Sequence, residues 1–188
     1  FELLDYDVNV SVSPENAGST TGAGIYTHGD EVTVNATPNV GYKFVNWTED
    51  GNVISTESEY SFTITSDRNL VANFELLTYD VTITMDIEGA GEGTGAGNYT
   101  HGDEMTVSVT PNFGYRFVNW TENEEVVSTD AEYTFIITSN RDLVANFELM
   151  DYDVTLSVNP EDAGVTTGEG TYTHGEDVTV NATPNFGY

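Results

Sequence analysis

Apolar and polar residues alternate along most of this chain. Val8, Val10 and Val12 are separated by Asn9 and Ser11, and Val32, Val34 and Ala36 by Thr33 and Asn35. Tyr60, Phe62 and Ile64 alternate with Ser61 and Thr63; Leu70, Ala72, Phe74 and Leu76 alternate with Val71, Asn73 and Glu75. A period of two puts successive side chains on opposite faces of a strand, so each run predicts a strand with one buried face. The runs are filled with β-branched and aromatic residues, which suit a pleated, half-buried surface. No stretch carries an apolar stripe of helical period, and no substantial helix is predicted. The run Tyr42-Lys43-Phe44-Val45-Asn46-Trp47 is apolar on both faces, which places it centrally in a sheet or demands a bulge.

Turn chemistry separates these runs. Pro38-Asn39-Val40-Gly41 combines a fixed φ with a glycine that can take positive φ. Asp50-Gly51 reads as a tight hairpin turn, and its counterpart Asn123-Glu124 implies that glycine is not required there. Ser66-Asp67-Arg68-Asn69 is expected to close the last hairpin. The Gly-, Ser- and Thr-rich segment 14–24 is expected to form a loop or a short irregular hairpin.

The whole pattern repeats. Tyr6-Asp7-Val8 returns as Tyr79-Asp80-Val81 and Tyr152-Asp153-Val154, and Tyr26-Thr27-His28-Gly29 returns at Tyr99 and Tyr172, always at an offset of 73 residues. Phe44-Val45-Asn46-Trp47-Thr48 returns as Phe117-Val118-Asn119-Trp120-Thr121, and Gly41-Tyr42 as Gly114-Tyr115 and Gly187-Tyr188. A fixed period of this length marks a modular array. The reading is all-β: tandem small β-sheet modules, β-grasp-like or compact β-sandwich-like, arranged as an elongated rod or fibre. Residues 1–5 read as the tail of a preceding repeat, 6–78 as repeat one, 79–151 as repeat two, and 152–188 as the first half of repeat three, truncated or completed by a neighbour. The joint Asn73-Phe74-Glu75-Leu76-Leu77-Thr78 lacks the Gly, Pro and Ser of a flexible tether, which implies modules in fixed orientation. Tyr42, Phe44, Trp47, Tyr60, Phe62 and Phe74 are the expected aromatic core, with Tyr115, Phe117, Trp120, Tyr133, Phe135 and Phe147 in the second repeat.

Composition narrows the function. There are 32 acidic against 4 basic side chains, a formal charge of −28, and no cysteine. Nucleic acid and anionic lipid are poor partners for such a chain. Disulfides, thiolate metal sites and cysteine nucleophiles are excluded, and no apolar run approaches the length of a membrane span, so direct membrane insertion is not expected. Hydrophobic residues at 38% and aromatics at 12% are too abundant for a disordered acidic tail.

Together, Gly41-Tyr42-Lys43-Phe44-Val45-Asn46-Trp47, Tyr60-Ser61-Phe62-Thr63-Ile64 and Leu70-Val71-Ala72-Asn73-Phe74 resemble the divergent internalin B-repeat, or Listeria–Bacteroides-type repeat, family. The resemblance covers essentially the whole chain. It implies tandem modules of secreted or surface proteins of bacteria and archaea, a small β fold related to the β-grasp, and roles as spacers, stalks or adhesive segments. It brings no catalytic residues.

Candidate chemistry is sparse. His28, His101 and His174 occur once per module and precede two acidic residues, a set smaller than most metal sites use; the bland reading is a turn histidine. Glu49, Asp50, Glu122 and Glu124 are weak calcium candidates without the spacing of a calcium loop. The glycine-rich run 89–97 lacks the lysine of a phosphate loop and should lead into a strand. Trp47 and Trp120 could stack on sugars, although aromatics at strand positions usually belong to the core. Asn9, Asn46, Asn98 and Asn119 head glycosylation triplets. No nucleophile, base and orienting group can be assembled, and no cofactor is expected. The chain therefore reads as a non-catalytic extracellular stalk, fibre or filament that self-associates. The alternatives are an adhesin for glycan or protein, and a spacer attached to an enzyme or receptor.

Overall fold

The computed structural model describes residues 3–188; Phe1 and Glu2, the start of the expected preceding-repeat tail, lie outside the described residues. The first repeat contains eight strands: β1 (Asp5–Ser13), β2 (Gly18–Thr21), β3 (Gly24–Thr27), β4 (Glu31–Pro38), β5 (Tyr42–Glu49), β6 (Asn52–Ser55), β7 (Glu59–Thr63) and β8 (Arg68–Leu76). They form a five-stranded sheet of order β3-β1-β8-β5-β6 and a three-stranded sheet of order β2-β4-β7. At the centre of the larger sheet β1 and β8 run parallel, from Val8 opposite Arg68 to Ser13 opposite Asn73. A parallel pair needs a long crossover, and here the crossover is the rest of the module.

One core joins the two sheets. Val8, Trp47, Leu70, Ala72 and Phe74 come from the larger sheet, Val32, Val34 and Ala36 from the smaller, and Ala17 and Ile64 from the connections. Tyr42, Phe44, Tyr60 and Phe62 pack around this cluster half-buried. The side chains of Trp47, Ile64, Leu70, Val32 and Val34 are almost wholly buried, and each contributes roughly 1.5–3 kcal/mol by leaving water.

The two-faced run at 42–47 is resolved by a bulge. The register of β5 on β8 shifts between Phe44 and Asn46. Such an extra residue re-aims the side chains that follow it. Trp47 therefore enters the core while Val45 faces outward. The bulge is held by Asn73, whose Nδ2 donates to Asn46 Oδ1 at 2.8 Å and to Thr48 Oγ1 at 3.0 Å.

Two expectations are corrected. Segment 14–24 is loop only at 14–17 and 22–23, and it forms no hairpin. Its strands β2 and β3 enter different sheets, and Gly22 turns the corner with φ at 98°. β2 lacks an apolar pattern because its cover comes from elsewhere: a Cβ at Gly18 would meet the Phe74 ring at 2.6 Å. Residues 66–69 do not close a hairpin either. β7 pairs with β4 and β8 pairs with β1 and β5, so this segment crosses between sheets. Asp67 fastens the crossing, accepting from the Asp7 N–H at 3.0 Å.

The second repeat has the same plan: β9 (Thr78–Met85), β10 (Gly91–Thr94), β11 (Gly97–Thr100), β12 (Glu104–Pro111), β13 (Tyr115–Glu122), β14 (Glu125–Ser128), β15 (Glu132–Ile136) and β16 (Arg141–Leu149). The sheet orders β11-β9-β16-β13-β14 and β10-β12-β15 match those of the first repeat. Trp120, Leu143, Ala145 and Phe147 are buried like their counterparts, while Phe117, Tyr133 and Phe135 are at most half-buried. The third repeat has four short strands, β17 (Asp151–Val154), β18 (Gly164–Thr167), β19 (Gly170–Thr173) and β20 (Asn181–Pro184), in two pairs, β17 with β19 and β18 with β20.

The chain divides into two compact units whose borders do not follow the repeats. The first runs through Tyr79 and takes in Asn98–Asp103 and Ile136–Ser139; the second holds Asp80–Gly97, Glu104–Phe135 and Asn140–Tyr188. The histidine-bearing turn of repeat two thus belongs to the unit built on repeat one. That of repeat three lies in the second unit.

Candidate functional site

The three histidines sit on one recurrent turn. Asp30 N donates to Thr27 O at 3.0 Å, and the Asp30 carboxylate accepts from Thr27 N at 2.9 Å. Asp103 and Glu176 cap Thr100 and Thr173 in the same way. The first acidic residue after each histidine is therefore a turn cap. Each imidazole stands beside a tyrosine ring: Tyr6 at 5.9 Å from His28, Tyr79 at 6.0 Å from His101, and Tyr152 at 6.0 Å from His174. The backbone N–H of each histidine donates at 2.8 Å to a backbone carbonyl, that of Leu4, Leu77 or Met150.

Two of these turns are covered by the turn that precedes β5 or its counterpart. Within the first unit the His101 ring lies over Gly41, which is buried; a Cβ there would overlap the imidazole. Leu77 bridges the pair, its N–H donating to Gly41 O at 2.7 Å while its carbonyl accepts from His101. Within the second unit His174 lies over buried Gly114, and Met150 N donates to Gly114 O at 2.8 Å. The Phe113 ring adds an edge contact to His174, with centroids 5.1 Å apart. Nδ1 of His101 is buried with no hydrogen-bond partner. A buried polar atom left unpaired asks for a reason, and here the ring is used for its shape against a glycine.

Two of the four calcium candidates are engaged with arginines. Glu49 holds Arg68, whose Nε lies 2.7 and 2.9 Å from the two carboxylate oxygens. Glu122 holds Arg141 in the same manner at 2.8 Å. Each guanidinium also covers an aromatic ring, Arg68 at 4.4 Å from the Phe62 centroid and Arg141 at 4.3 Å from that of Phe135. The hydrogen bond it donates to Glu49 holds the Arg68 guanidinium above its ordinary pKa. Burial lowers the pKa of Arg141, but the bonds to Glu122 and Tyr133 outweigh it and the net shift is upward. Glu49 and Glu122 are thus the anchors of a cationic clasp between β5 and β8, and between β13 and β16. Asp50 and Glu124 stand at hairpin tips with φ at 49° and 68°. No group of three or more His, Asp or Glu side chains positioned for a metal ion occurs among the described residues.

These clasps are the functional feature that sequence reasoning missed. The signal was present: Arg68 and Arg141 are two of only four basic residues, and they recur at the repeat offset. The other two, Lys43 and Arg116, pair with Glu75 and Glu148 at 2.6 and 2.7 Å on the surface. Every basic side chain therefore has an acidic partner.

Sugar stacking on Trp47 and Trp120 is overturned, because both rings have 0% exposure. Their Nε1 groups donate to Ser58 O at 3.1 Å and to Ala131 O at 3.3 Å. Asn46 and Asn119 are committed to the bulges through Asn73 and Asn146. Asn9 and Asn98 lie on exposed strand positions. The glycine-rich run 89–97 includes β10, with Gly95 at its corner, and precedes no helix. No described helix is long and apolar enough to cross a membrane.

No curated protein matches the chain. Among solved structures the chain is similar to the Bacillus anthracis TIE protein at 10% identity and a TM-score of 0.42, over 97% of this chain and 43% of that one. The chain thus spans less than half the length of that protein. A family model described as the divergent InlB B-repeat domain matches residues 8–77, 79–151 and 154–188. With three matches covering nearly all of its length, the chain belongs to the divergent InlB B-repeat domain family.

Proposed function

We propose that this chain is a non-catalytic structural region of an extracellular prokaryotic surface protein, and that it serves as a stalk, fibre or filament. The observation that supports this reading is where the recurrent residues go. In both complete repeats the tryptophan, the asparagine pair and the arginine–glutamate pair go into core, bulge and clasp, and the glycine of each, Gly41 or Gly114, lies under the histidine of the repeat that follows. Among the described residues, none of these recurrent side chains belongs to a cluster that could hold a metal ion. In a polypeptide without cysteine, cohesion under load comes from strand pairing and aromatic burial alone. The central β1–β8 pair suits that task, because β1 enters and β8 leaves the module side by side and in the same direction.

Single-molecule extension tests the proposal. A load-bearing array should unfold in two equal steps. Each step should release roughly 73 residues, about 25 nm of contour at the reach of an extended chain. Gradual extension without discrete steps would refute it. The adhesin alternative has lost its tryptophans, and specific capture on a glycan array would revive it.

A further inference from the structure

The compact units of this chain and its repeats are out of step. The first unit runs through Tyr79 and then adds Asn98–Asp103 and Ile136–Ser139, two segments of repeat two. The added segments are bonded to each other: Gly102 N–H donates to Ile137 O, and Ile137 N–H donates to Asp103 O, both at 2.8 Å. Ile137 is fully buried. Leu77 ties them to repeat one. Its N–H donates to Gly41 O at 2.7 Å and its carbonyl accepts from His101 N–H at 2.8 Å, so one backbone group goes to each repeat. The His101 ring closes over Gly41, which has φ at 84° and no side chain to obstruct it. The second unit holds the same arrangement between the next two repeats. Met150 N–H donates to Gly114 O and Met150 O accepts from His174 N–H, each at 2.8 Å. The His174 ring covers Gly114, which has φ at 89°. The tyrosines beside the two rings divide in the same way: Tyr79 falls in the first unit with His101, and Tyr152 in the second with His174.

We propose that the folding unit of this array is not the 73-residue repeat but a repeat closed by the histidine turn of its successor. The contact is made twice, with the same partners at the repeat offset. It matters energetically because a module of this size buries only about 60–65% of its unfolded surface and is marginal by itself, and no disulfide supports it. The coupling has a direction. The glycine turn of one repeat is covered by the ring of the next, so each histidine stabilises the repeat before it. Nearest-neighbour contacts of this kind link the folding of a repeat to that of its neighbour. The ring works by shape: it fills a space that glycine alone leaves open, which is why His101 is retained although its buried Nδ1 has no partner. This coupling is independent of whether the array bears load.

The two tryptophans allow each repeat to be followed separately in the full chain. Both are fully buried, Trp47 in the first unit and Trp120 in the second. With fluorotryptophan incorporated, fluorine NMR gives one native signal for each, and denaturant titration yields a midpoint for each. His101→Ala should lower the midpoint of Trp47 and leave that of Trp120 in place. His174→Ala should lower that of Trp120 and leave Trp47 in place. Gly41→Ala checks the contact itself. Positive φ penalises alanine in either background, but the new Cβ overlaps a ring only when His101 is present. Its effect on the Trp47 midpoint should therefore be larger beside His101 than in His101→Ala, the non-additivity expected of residues in contact. A His101→Ala chain in which Trp47 is unfolded without denaturant while Trp120 stays native supports the proposal in its extreme form. A His101→Ala chain that moves Trp120 and spares Trp47 overturns it, because the turn then serves only its own repeat. Two signals that move together, two that stay in place, or equal effects of Gly41→Ala in both backgrounds overturn it as well.

Discussion

Residues 32–39 and 178–185 are the same eight amino acids, Val-Thr-Val-Asn-Ala-Thr-Pro-Asn. In the first repeat Val32 to Pro38 lie wholly within strand β4, and Val32 and Val34 are at most 1% exposed. In the third repeat Val178, Thr179 and Val180 are not in a strand, and Val180 is 52% exposed. Only Asn181–Pro184 remains extended. The partners explain the split. Asn35 to Pro38 pair with β2, and Asn181 to Pro184 pair equally with β18. Glu31 to Asn35 pair with β7, for which the described residues of the third repeat hold no counterpart. The same holds for β1, which runs to Ser13 along β8, while β17 stops at Val154. Strand extent here is set by the neighbouring strand and not by intrinsic propensity, as expected when β preference reflects packing on a pleated surface.

The hardest test of that contrast is to remove the core from a complete repeat. Trp47→Ala deletes a fully buried ring and its bond to Ser58. Loss of a buried Trp costs about 3–5 kcal/mol, a large part of the stability of a small domain. Repeat one should then resemble repeat three locally: hydrogen exchange at Thr33 and Val34 should rise to the rate of Thr179 and Val180. If Thr33 and Val34 keep their protection, propensity holds the strand and the explanation fails.

A gentler version uses the identical octapeptide directly. Val34→Ala removes two buried methyl equivalents at about 0.8 kcal/mol each, and the cavity left behind brings the cost to about 2 kcal/mol. Val180→Ala makes the same chemical change at an exposed position and should stay within about 0.5 kcal/mol. Chemical denaturation of the two variants should separate them clearly. Equal midpoints would mean that Val180 is covered in solution.

This contrast also explains what the sequence could and could not convey. Alternation at Val8–Val12, Val32–Ala36 and Leu70–Leu76 is local, so strands and buried faces were legible, and the 73-residue offset made the modular plan legible as well. Sheet membership was not, because it depends on pairing across the module. β4 and β5 are joined by a tight turn yet enter different sheets, and so do β7 and β8, joined by residues 64–67. β2, Gly18 followed by Ser and two Thr, reads as loop because the apolar group that covers Gly18 is Phe74, 56 residues away. The histidine turn was hidden for the same reason: the glycine that His101 covers precedes it by 60 residues, in another repeat. Tryptophan burial was the more ordinary of two readings, and the bulge at Asn46 is what decides it.

The smallest expected effect concerns a place where the two complete repeats differ in sequence but not in shape. The β5–β6 hairpin turns through Asp50 and Gly51 with φ at 49° and 78°. The second repeat turns through Asn123 and Glu124 with φ at 50° and 68°. The absence of glycine had implied that none was needed, yet both turns require positive φ at both central residues, the type I′ geometry that suits strand twist. Asn123 tolerates that region; Glu124, with its Cβ against the backbone, is strained by about 1 kcal/mol. Replacing Glu124 by glycine relieves the strain but loosens the unfolded chain, so the net gain should be somewhat below that figure. Thermal unfolding should show Glu124→Gly raising the midpoint of repeat two, and Gly51→Glu lowering that of repeat one by a similar amount. Opposite signs at two equivalent positions would tie the effect to the turn itself, because neither side chain is buried.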